Sequence, residues 1–343
     1  ASPTLNNLTI SGNTAADGGG LYFFQGNPTL NNLTISGNTA AYGGGLGAYQ
    51  GNATLTNVII SGNTVDHYGG GMILSYSNPT LTNVTISGNT AYADNMPFGG
   101  GAGIQVKDGS NPIIINSILW NNSLDASNSL QEIAFSSAGE PGTVNVYYTD
   151  IQGGQDSIAT NDNGTVTWGD GNVDVDPLFV DAENGDYNLL PDSRMIDTGH
   201  PDSLDSDGTR SDIGAFHYDQ TGQPTRLQGI IATPSNSRIS LTWDDQANTS
   251  IDHYNVYRSL DPNEDWYNAS PYSTSNGLQY IDPIPEEDIT YFYRASAVDS
   301  DGDEGLLGWV KHCRLGLDST SVQLVGVKGI VDLATPIHQA GDP

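Results

Sequence analysis

A short repeat governs the first half of this 343-residue chain. The pentapeptide ISGNT recurs at intervals of 25, 25 and 26 residues, beginning at Ile10, Ile35, Ile60 and Ile86. A degenerate fifth copy begins at Leu119, and a weaker sixth ends in residues 148–154. Each copy holds β-branched runs broken by Gly and Asn, which predicts strands separated by turns. A unit this short cannot bury its own apolar face, so the repeats predict a parallel β-helix with one coil per copy.

Alignment of the copies places identical residues in columns, one above another at the inter-strand spacing of ~4.8 Å. The isoleucine column is expected to point into the core. A second column should form a ladder of hydrogen-bonded side chains: Asn13, Asn38, Asn63, Asn89 and Asn122. Triple glycines at 18–20, 43–45, 69–71 and 99–101 supply positive φ at the corners. Extra residues in the fourth copy, around 92–98, predict a longer corner loop.

The repeats resemble the right-handed parallel β-helix family found in bacterial surface proteins. Four short motifs that follow in order resemble the C-terminal end of the choice-of-anchor Q β-helix proteins, at residues 176–181, 185–189, 196–199 and 212–216. The resemblance implies a secreted or surface-displayed bacterial protein. We assign the β-helix repeats to residues 1–155 and the acidic end of that region to residues 156–219.

A different pattern follows the linker at residues 219–224. Short alternating segments such as 239–243, 253–258 and 291–298 predict a β-sandwich over residues 220–305. Their spacing resembles a fibronectin type III domain, which implies that Trp243 is the core tryptophan and Tyr291 the tyrosine-corner residue. Residues 306–343 are expected to hold a last strand, at 309–310 or 322–327, and a tail. The predicted fold class is therefore all-β, a right-handed parallel β-helix followed by a fibronectin type III-like β-sandwich.

The charge balance excludes some partners. The chain has 40 acidic and 10 basic residues, for a net charge of −30, so it is not expected to bind nucleic acid through phosphates. No run of 18 or more apolar residues occurs, so no membrane span is expected.

The chain opens inside a repeat, which indicates a mature or truncated product. An open coil has unpaired strand edges, and self-association through that end is one hypothesis.

The repeat region is poor in the residues that carbohydrate-cleaving enzymes need. A uronate lyase requires a base and a cation, and residues 1–150 contain one basic residue, Lys107. A glycosidase requires paired carboxylates. The same stretch has eight acidic residues, and no two of them form an obvious pair. They are either catalytic candidates or simply solvated turn residues: Asp17, Asp66, Asp94, Asp108, Asp125, Glu132, Glu140 and Asp150.

One corner combines aromatic and polar residues. Tyr42, Tyr68 and Phe98 each precede a triple glycine directly, and Asp66 and His67 lie beside Tyr68. Rings pack against sugar faces while polar groups bind the hydroxyls, so this corner is a candidate ligand site. An aromatic ladder that only stabilises the coil is the alternative.

A row of outward-facing threonines is a further candidate surface. Thr9, Thr34 and Thr85 lie in one column, which Ile59 interrupts. A flat Thr/Ser lattice could bind ice, although these residue types also suit any exposed β-face.

The acidic end is a candidate calcium site. Four carboxylates surround Gly208, without the register of an EF-hand: Asp202, Asp205, Asp207 and Asp212. Loops rich in carboxylate oxygens suit Ca²⁺, and a solvated acidic loop is the equal alternative. A second acidic group, Asp299, Asp301, Asp303 and Glu304, is expected to be a plain hairpin turn.

Together these features favour a non-catalytic extracellular or cell-surface structural or adhesion protein, with glycan binding as one form of that role. Its expected partners are polysaccharides or other surface proteins. Two alternatives stay open: a polysaccharide lyase or glycoside hydrolase on a β-helix scaffold, and a self-assembling extracellular filament subunit.

Overall fold

The computed structural model describes residues 2–92, 100–124, 129–235, 237–246, 250–283 and 285–315. Phe98, most of the predicted corner loop, and the tail beyond residue 315 lie outside the described residues. The chain divides after Asp219 into two compact units.

The first unit consists of short strands and two single 3₁₀ turns, at Gln155–Ser157 and Ala182–Asn184. Its strands in chain order are β1 (Thr4–Ser11), β2 (Thr14–Asp17), β3 (Leu21–Phe24), β4 (Thr29–Ser36), β5 (Thr39–Tyr42), β6 (Leu46–Tyr49), β7 (Thr54–Ser61), β8 (Thr64–Tyr68), β9 (Met72–Ser75), β10 (Thr80–Ser87), β11 (Thr90–Ala91), β12 (Ile104–Lys107), β13 (Ile113–Ile115), β14 (Ile118–Trp120), β15 (Ser123–Leu124), β16 (Ser129–Leu130), β17 (Ile133–Phe135), β18 (Gly142–Tyr147), β19 (Asp150–Ile151), β20 (Gly164–Trp168), β21 (Phe179–Asp181) and β22 (Asp186–Leu189).

Successive coils contribute strands to three long sheets. Sheet 1 runs in the order β1-β4-β7-β10-β13-β18-β20, with β14 pairing to β10 and β19. Sheet 2 contains β2, β5, β8, β11 and β15 in parallel, followed by the antiparallel β16. Sheet 3 runs β3-β6-β9-β12-β17. The first unit is therefore a parallel β-helix, as the repeat predicts.

The register keeps equivalent residues side by side. Ile35 pairs with Ile10 on one side and with Ile60 on the other, and Ile86 pairs with Ile60. Ile35, Ile60 and Ile86 are fully buried in one core that continues through the coils. The prediction that this column points inward is confirmed.

A second buried column links the coils by hydrogen bonds. The Asn63 amide nitrogen donates to Asn89 Oδ1 at 2.9 Å and to Ile35 O at 3.0 Å. Asn63 Oδ1 in turn accepts from the side-chain amide of Asn38 at 2.9 Å and from its backbone N–H at 3.0 Å. These buried polar groups are satisfied from coil to coil, so the column specifies the stacking as well as stabilising it.

Glycine is needed at the corners for two separate reasons. Gly43 has φ +64°, a conformation that L side chains rarely adopt. Gly44 has no positive φ, but a Cβ placed there would lie 2.6 Å from the carbonyl oxygen of Gly70 in the next coil. The triple glycine therefore lets consecutive corners lie against one another.

Residues 177–219 lie on the outer face of sheet 1. The β21–β22 hairpin is antiparallel, and Ile59 packs with Tyr187 and Ala215. The Ala215 N–H donates to Thr85 Oγ1 at 3.0 Å, and Thr85 is fully buried. Ile59, which interrupts the threonine row, is thus an apolar contact for this segment, and Thr85 is not part of an exposed lattice.

The second unit contains β23 (Ile231–Ser235), β24 (Arg238–Thr242), β25 (Ile251–Ser259), β26 (Ser273–Ser275), β27 (Gln279–Asp282), β28 (Thr290–Asp299) and β29 (Lys311–Arg314). They form two antiparallel sheets, β23-β24-β27 and β26-β25-β28-β29. Buried Trp243 lies against Tyr254, with ring centroids 5.2 Å apart. The last described strand, Lys311–Arg314, directly follows one of the two predicted positions, residues 309–310; the other, residues 322–327, lies outside the described residues.

We expect Ile60→Asp to lower the melting temperature of the β-helix by roughly 10 °C, because the substitution buries an unpaired charge in the core. Thr54→Asp is the matched control, since Thr54 is exposed on the same strand. Thermal unfolding followed by circular dichroism measures both. A shift of a degree or less in the Ile60 variant would contradict the inward placement.

Candidate functional site

Three of the predicted ligand residues, Tyr42, His67 and Tyr68, lie together where the sheet 2 strands β5 and β8 end. The register places Asp17, Tyr42 and Tyr68 side by side in consecutive coils. The ring centroids of Tyr42 and His67 are 4.8 Å apart, and those of Tyr42 and Tyr68 are 6.0 Å apart. Asp66 is exposed beside them. Among the described residues, the Nδ1 atom of His67 is buried without a hydrogen-bond partner.

Two further tyrosines extend this surface onto sheet 3. The rings of Tyr22 and Tyr49 have centroids 5.4 Å apart. Tyr22 pairs with Gly47 in the next coil, where a Cβ would lie only 3.3 Å from the Tyr22 ring. Gly47 therefore leaves room for that ring. Sequence reasoning missed both tyrosines because the third strand of each coil departs from the repeat consensus.

Tyr49 connects the sheet 2 edge to sheet 3. Burial raises the pKa of its hydroxyl to about 12, and nearby acidic groups and phenols add to the rise: Asp17, Tyr22, Tyr42 and Asp108. These groups therefore lie near enough to act electrostatically on one hydroxyl, and the Tyr22 and Tyr49 rings are in contact range. We call Tyr22, Tyr42, Tyr49, His67 and Tyr68 the aromatic face.

A groove of about 210 Å³ adjoins the aromatic face at Tyr68. Its lining comprises Tyr68, Gln105, Lys107, Asp108, Ser136, Ala138 and Gly139. Asp108 Oδ2 accepts a hydrogen bond from Ser75 Oγ at 2.7 Å. Gln105 Oε1 accepts from the Gly101 N–H at 2.8 Å. Ring faces beside carboxylate, amide and ammonium groups are the chemistry that binds sugars.

Two acids considered for catalysis are structural. Glu132 and Asp150 are fully buried, where no polymeric substrate reaches them. Glu132 ends the asparagine ladder: Oε1 accepts from the Asn122 N–H at 3.1 Å and Oε2 from its side-chain amide. Burial raises the pKa of Glu132 to about 8 and that of Asp150 well above its usual range. Asp94 and Asp125 lie outside the described residues.

Three of the four aspartates of the predicted calcium site accept hydrogen bonds from N–H groups through their carboxylates. Asp205 Oδ2 accepts from the Asp212 N–H at 2.8 Å. Asp212 accepts from the N–H groups of Asp197 and Tyr218 at 2.7 and 2.6 Å. Burial raises the pKa of Asp212 to about 8 and also raises that of Asp205.

The other two aspartates serve local turns. Asp207 Oδ1 accepts from the Thr209 N–H at 2.9 Å, and the Asp202 N–H donates to His200 Nδ1 at 3.2 Å. In the described part of the chain, no three His, Cys, Asp or Glu side chains form a group that could hold a metal ion. Ca²⁺ binding by these four residues stays a prediction.

The second acidic group also forms a turn. Asp299 Oδ1 accepts from the N–H groups of Asp301 and Asp303, both at 2.9 Å. Glu304 points elsewhere and accepts from the Tyr257 hydroxyl at 2.7 Å. The prediction of a hairpin turn is consistent with the antiparallel bridge between Val298 and Glu304.

Family comparison agrees with this architecture. The family model described as the right handed beta helix region matches residues 1–176, just over half of the chain. The protein therefore belongs to the right-handed β-helix family. No curated protein matches the chain. None of the helices among the described residues is long and apolar enough to cross a membrane.

Solved structures similar to part of the chain include two fibronectin-type domains. An Fn3-like protein from Clostridium thermocellum is 23% identical, covers 26% of this chain and 90% of its own, and has a TM-score of 0.23. A human fibronectin type III domain is 18% identical, covers 29% of this chain and 92% of its own, and has a TM-score of 0.25. TM-scores this low do not define a fold.

We expect the stability of the first unit to fall as the pH rises from 4.5 to 8. The pKa of Glu132 is raised from 4.5 to about 8 in the folded state. Its contribution to the free energy of unfolding is therefore fully present below pH 4.5. It is lost as the pH rises through the folded-state value, because only the unfolded chain ionises freely. Glu132→Gln should flatten part of this dependence in thermal melts across that range. Glu140→Gln, at an exposed position, is the control and should leave the slope unchanged; an equal slope in all three proteins would contradict the burial of a titrating Glu132.

Proposed function

We propose that this protein is a non-catalytic, secreted or cell-surface structural protein of bacteria whose β-helix presents a glycan-binding face. The observation that carries the proposal is the aromatic face. Its rings lie on consecutive coils, with Tyr42 and Tyr68 in register and Tyr22 beside Tyr49.

The architecture supports a structural role. One core passes through the coils, and the buried asparagine ladder joins each coil to the next. A solenoid of this kind is rigid along its length because every coil is fixed by its neighbours. Binding groups on its outer surface therefore keep a constant spacing.

The geometry of the aromatic face supports a polymeric sugar as the ligand. Coils repeat every ~4.8 Å, so exposed Tyr22 on the first coil and half-buried Tyr42 and Tyr49 on the second offer neighbouring stacking positions, whereas Tyr68 on the third is buried. Asp17 and Asp66 are exposed beside the rings and can accept hydrogen bonds from sugar hydroxyls. Apolar ring faces with a few fixed polar groups are typical of ligand sites.

We further propose that the second unit is a fibronectin type III-like sandwich and that the first is of the choice-of-anchor Q type. The sandwich is supported by its three-stranded and four-stranded antiparallel sheets and by buried Trp243. The Tyr291 hydroxyl accepts from the Glu286 N–H at 3.1 Å, the bond of a tyrosine corner. The motifs at residues 176–181 and 212–216 support the choice-of-anchor Q type.

A glycan array tests the proposed binding. We expect the full chain to bind a subset of the arrayed polysaccharides, and Tyr42→Ala or Tyr49→Ala to weaken that binding about tenfold, because each removes a stacking ring. Phe216→Ala is the matched control, since Phe216 is exposed but lies outside the aromatic face. If no arrayed glycan binds, the glycan-binding part of the proposal fails.

A turnover assay on the same polysaccharides tests the non-catalytic part. We expect neither release of reducing sugars nor formation of an unsaturated product that absorbs in the ultraviolet. Either product, if lost on Lys107→Ala or His67→Ala, would overturn the proposal in favour of a lyase or hydrolase.

A further inference from the structure

We propose that the groove beside Tyr68 is a subsite for a carboxylated sugar, so that the ligand of the aromatic face is an acidic glycan containing uronate units. This inference rests on the proposed function and specifies its ligand class. The groove lies where the aromatic face ends, and Tyr68 belongs to both.

Lys107 provides the charge that selects the ligand. It is the only Lys or Arg in residues 1–150. It is half-buried in the groove, and among the described residues no carboxylate forms an ion pair with it. Asp108, its neighbour in sequence, accepts a hydrogen bond from Ser75 Oγ at 2.7 Å instead. An ammonium group without an internal partner, in a groove of a strongly acidic protein, favours an external anion.

Gln105 adds a second donor. Its Oε1 is occupied by the Gly101 N–H at 2.8 Å. Its amide nitrogen has no hydrogen-bond partner among the described residues, and the side chain lines the groove. A carboxylate can accept from an ammonium and an amide N–H at the same time, and such charge-assisted bonds are stronger than neutral ones.

The register connects this subsite to the stacking rings. Lys107 pairs with Ser75, and Ser75 pairs with Tyr49, so Lys107 and Tyr49 lie in one column two coils apart. Two coil steps correspond to ~10 Å. A glycan chain lying along the column can therefore stack on the tyrosines with one part and place a carboxylate at Lys107 with another.

The net charge of −30 does not prevent this binding. At physiological ionic strength the Debye length is ~8 Å, so charges on distant coils and on the second unit are largely screened. Contacts inside the groove then decide the preference: Lys107 is its cation, and Asp108, the acid in its lining, is hydrogen-bonded by Ser75 Oγ.

The experiment compares an array of uronate-containing oligosaccharides with their carboxyl-reduced counterparts, which keep the chain but lose the charge. We expect the wild-type protein to bind the acidic forms about tenfold more tightly. Lys107→Met should remove that preference, whereas Lys107→Arg should retain it. Ala138→Trp, at an exposed position on the groove wall, should block the acidic subsite without changing any charge.

The outcomes separate this inference from the function on which it rests. Equal binding of acidic and reduced forms by the wild-type protein would overturn the acidic subsite and leave the aromatic face as a neutral glycan site. A preference that survives in Lys107→Met would also overturn it. Absence of binding to every oligosaccharide, charged or reduced, would remove the proposed function itself. Circular dichroism melts of each variant exclude misfolding as the cause of a loss.

Discussion

The in-register parallel ladder between coils is the constraint on which the rest of the first unit depends. Each strand of sheet 1 pairs residue for residue with the strand of the next coil, so Ile35 is fixed beside Ile60 and Leu30 beside Leu55. Once this register is set, an inward column must contain side chains that pack on copies of themselves. Branched aliphatic side chains meet this condition in the apolar core. Asparagine side chains meet it at the buried turns, where each one hydrogen-bonds to the asparagine of the next coil. A slip of one residue would turn every inward side chain outward.

The same register leaves outward columns free to vary, and the molecule uses them in two ways. On sheet 1, Ile59 and Thr85 are covered by the segment of residues 177–219, through an apolar contact and a hydrogen bond. On sheets 2 and 3, the columns that this segment does not cover carry half-buried Tyr42 and Tyr49 instead. One outer surface therefore completes the fold of the first unit, whereas another carries aromatic side chains.

These differences explain which features could be predicted from the sequence. The coils, the isoleucine core and the asparagine ladder were predictable because each is a property of the repeat, which is visible as spacing. Contacts between residues far apart in the chain are not visible in this way. Nothing in the neighbourhood of Ile59 indicates that Tyr187 and Ala215 pack on it. The four aspartates near Gly208 were similarly ambiguous, because only the folded loop reveals that Asp205 and Asp212 accept backbone N–H groups.

The aromatic face was predictable only in part, for the same reason. Tyr42, His67 and Tyr68 stand at a fixed place in the repeat, next to the glycines. Tyr22 and Tyr49 lie in strands whose residue types change from coil to coil, and the room for the Tyr22 ring comes from its paired residue Gly47. The groove at Lys107 draws residues from three coils, and no periodicity in the sequence marks it.

The end of the asparagine ladder presents a problem that any such column must solve. Within the ladder, each asparagine oxygen accepts from the preceding coil while its own amide nitrogen donates onward, as Asn89 does to Asn122 at 2.8 Å. A final asparagine would leave a buried donor without a partner, which costs the desolvation energy of that group. Glu132 reduces the difficulty, because its two carboxyl oxygens accept both donors of Asn122 and its protonated form has one O–H donor where an amide has two N–H donors. The consequence is a buried acid that favours its protonated form, so the residue that ends the ladder also makes the stability of this part of the β-helix fall as the pH rises from 4.5 to about 8.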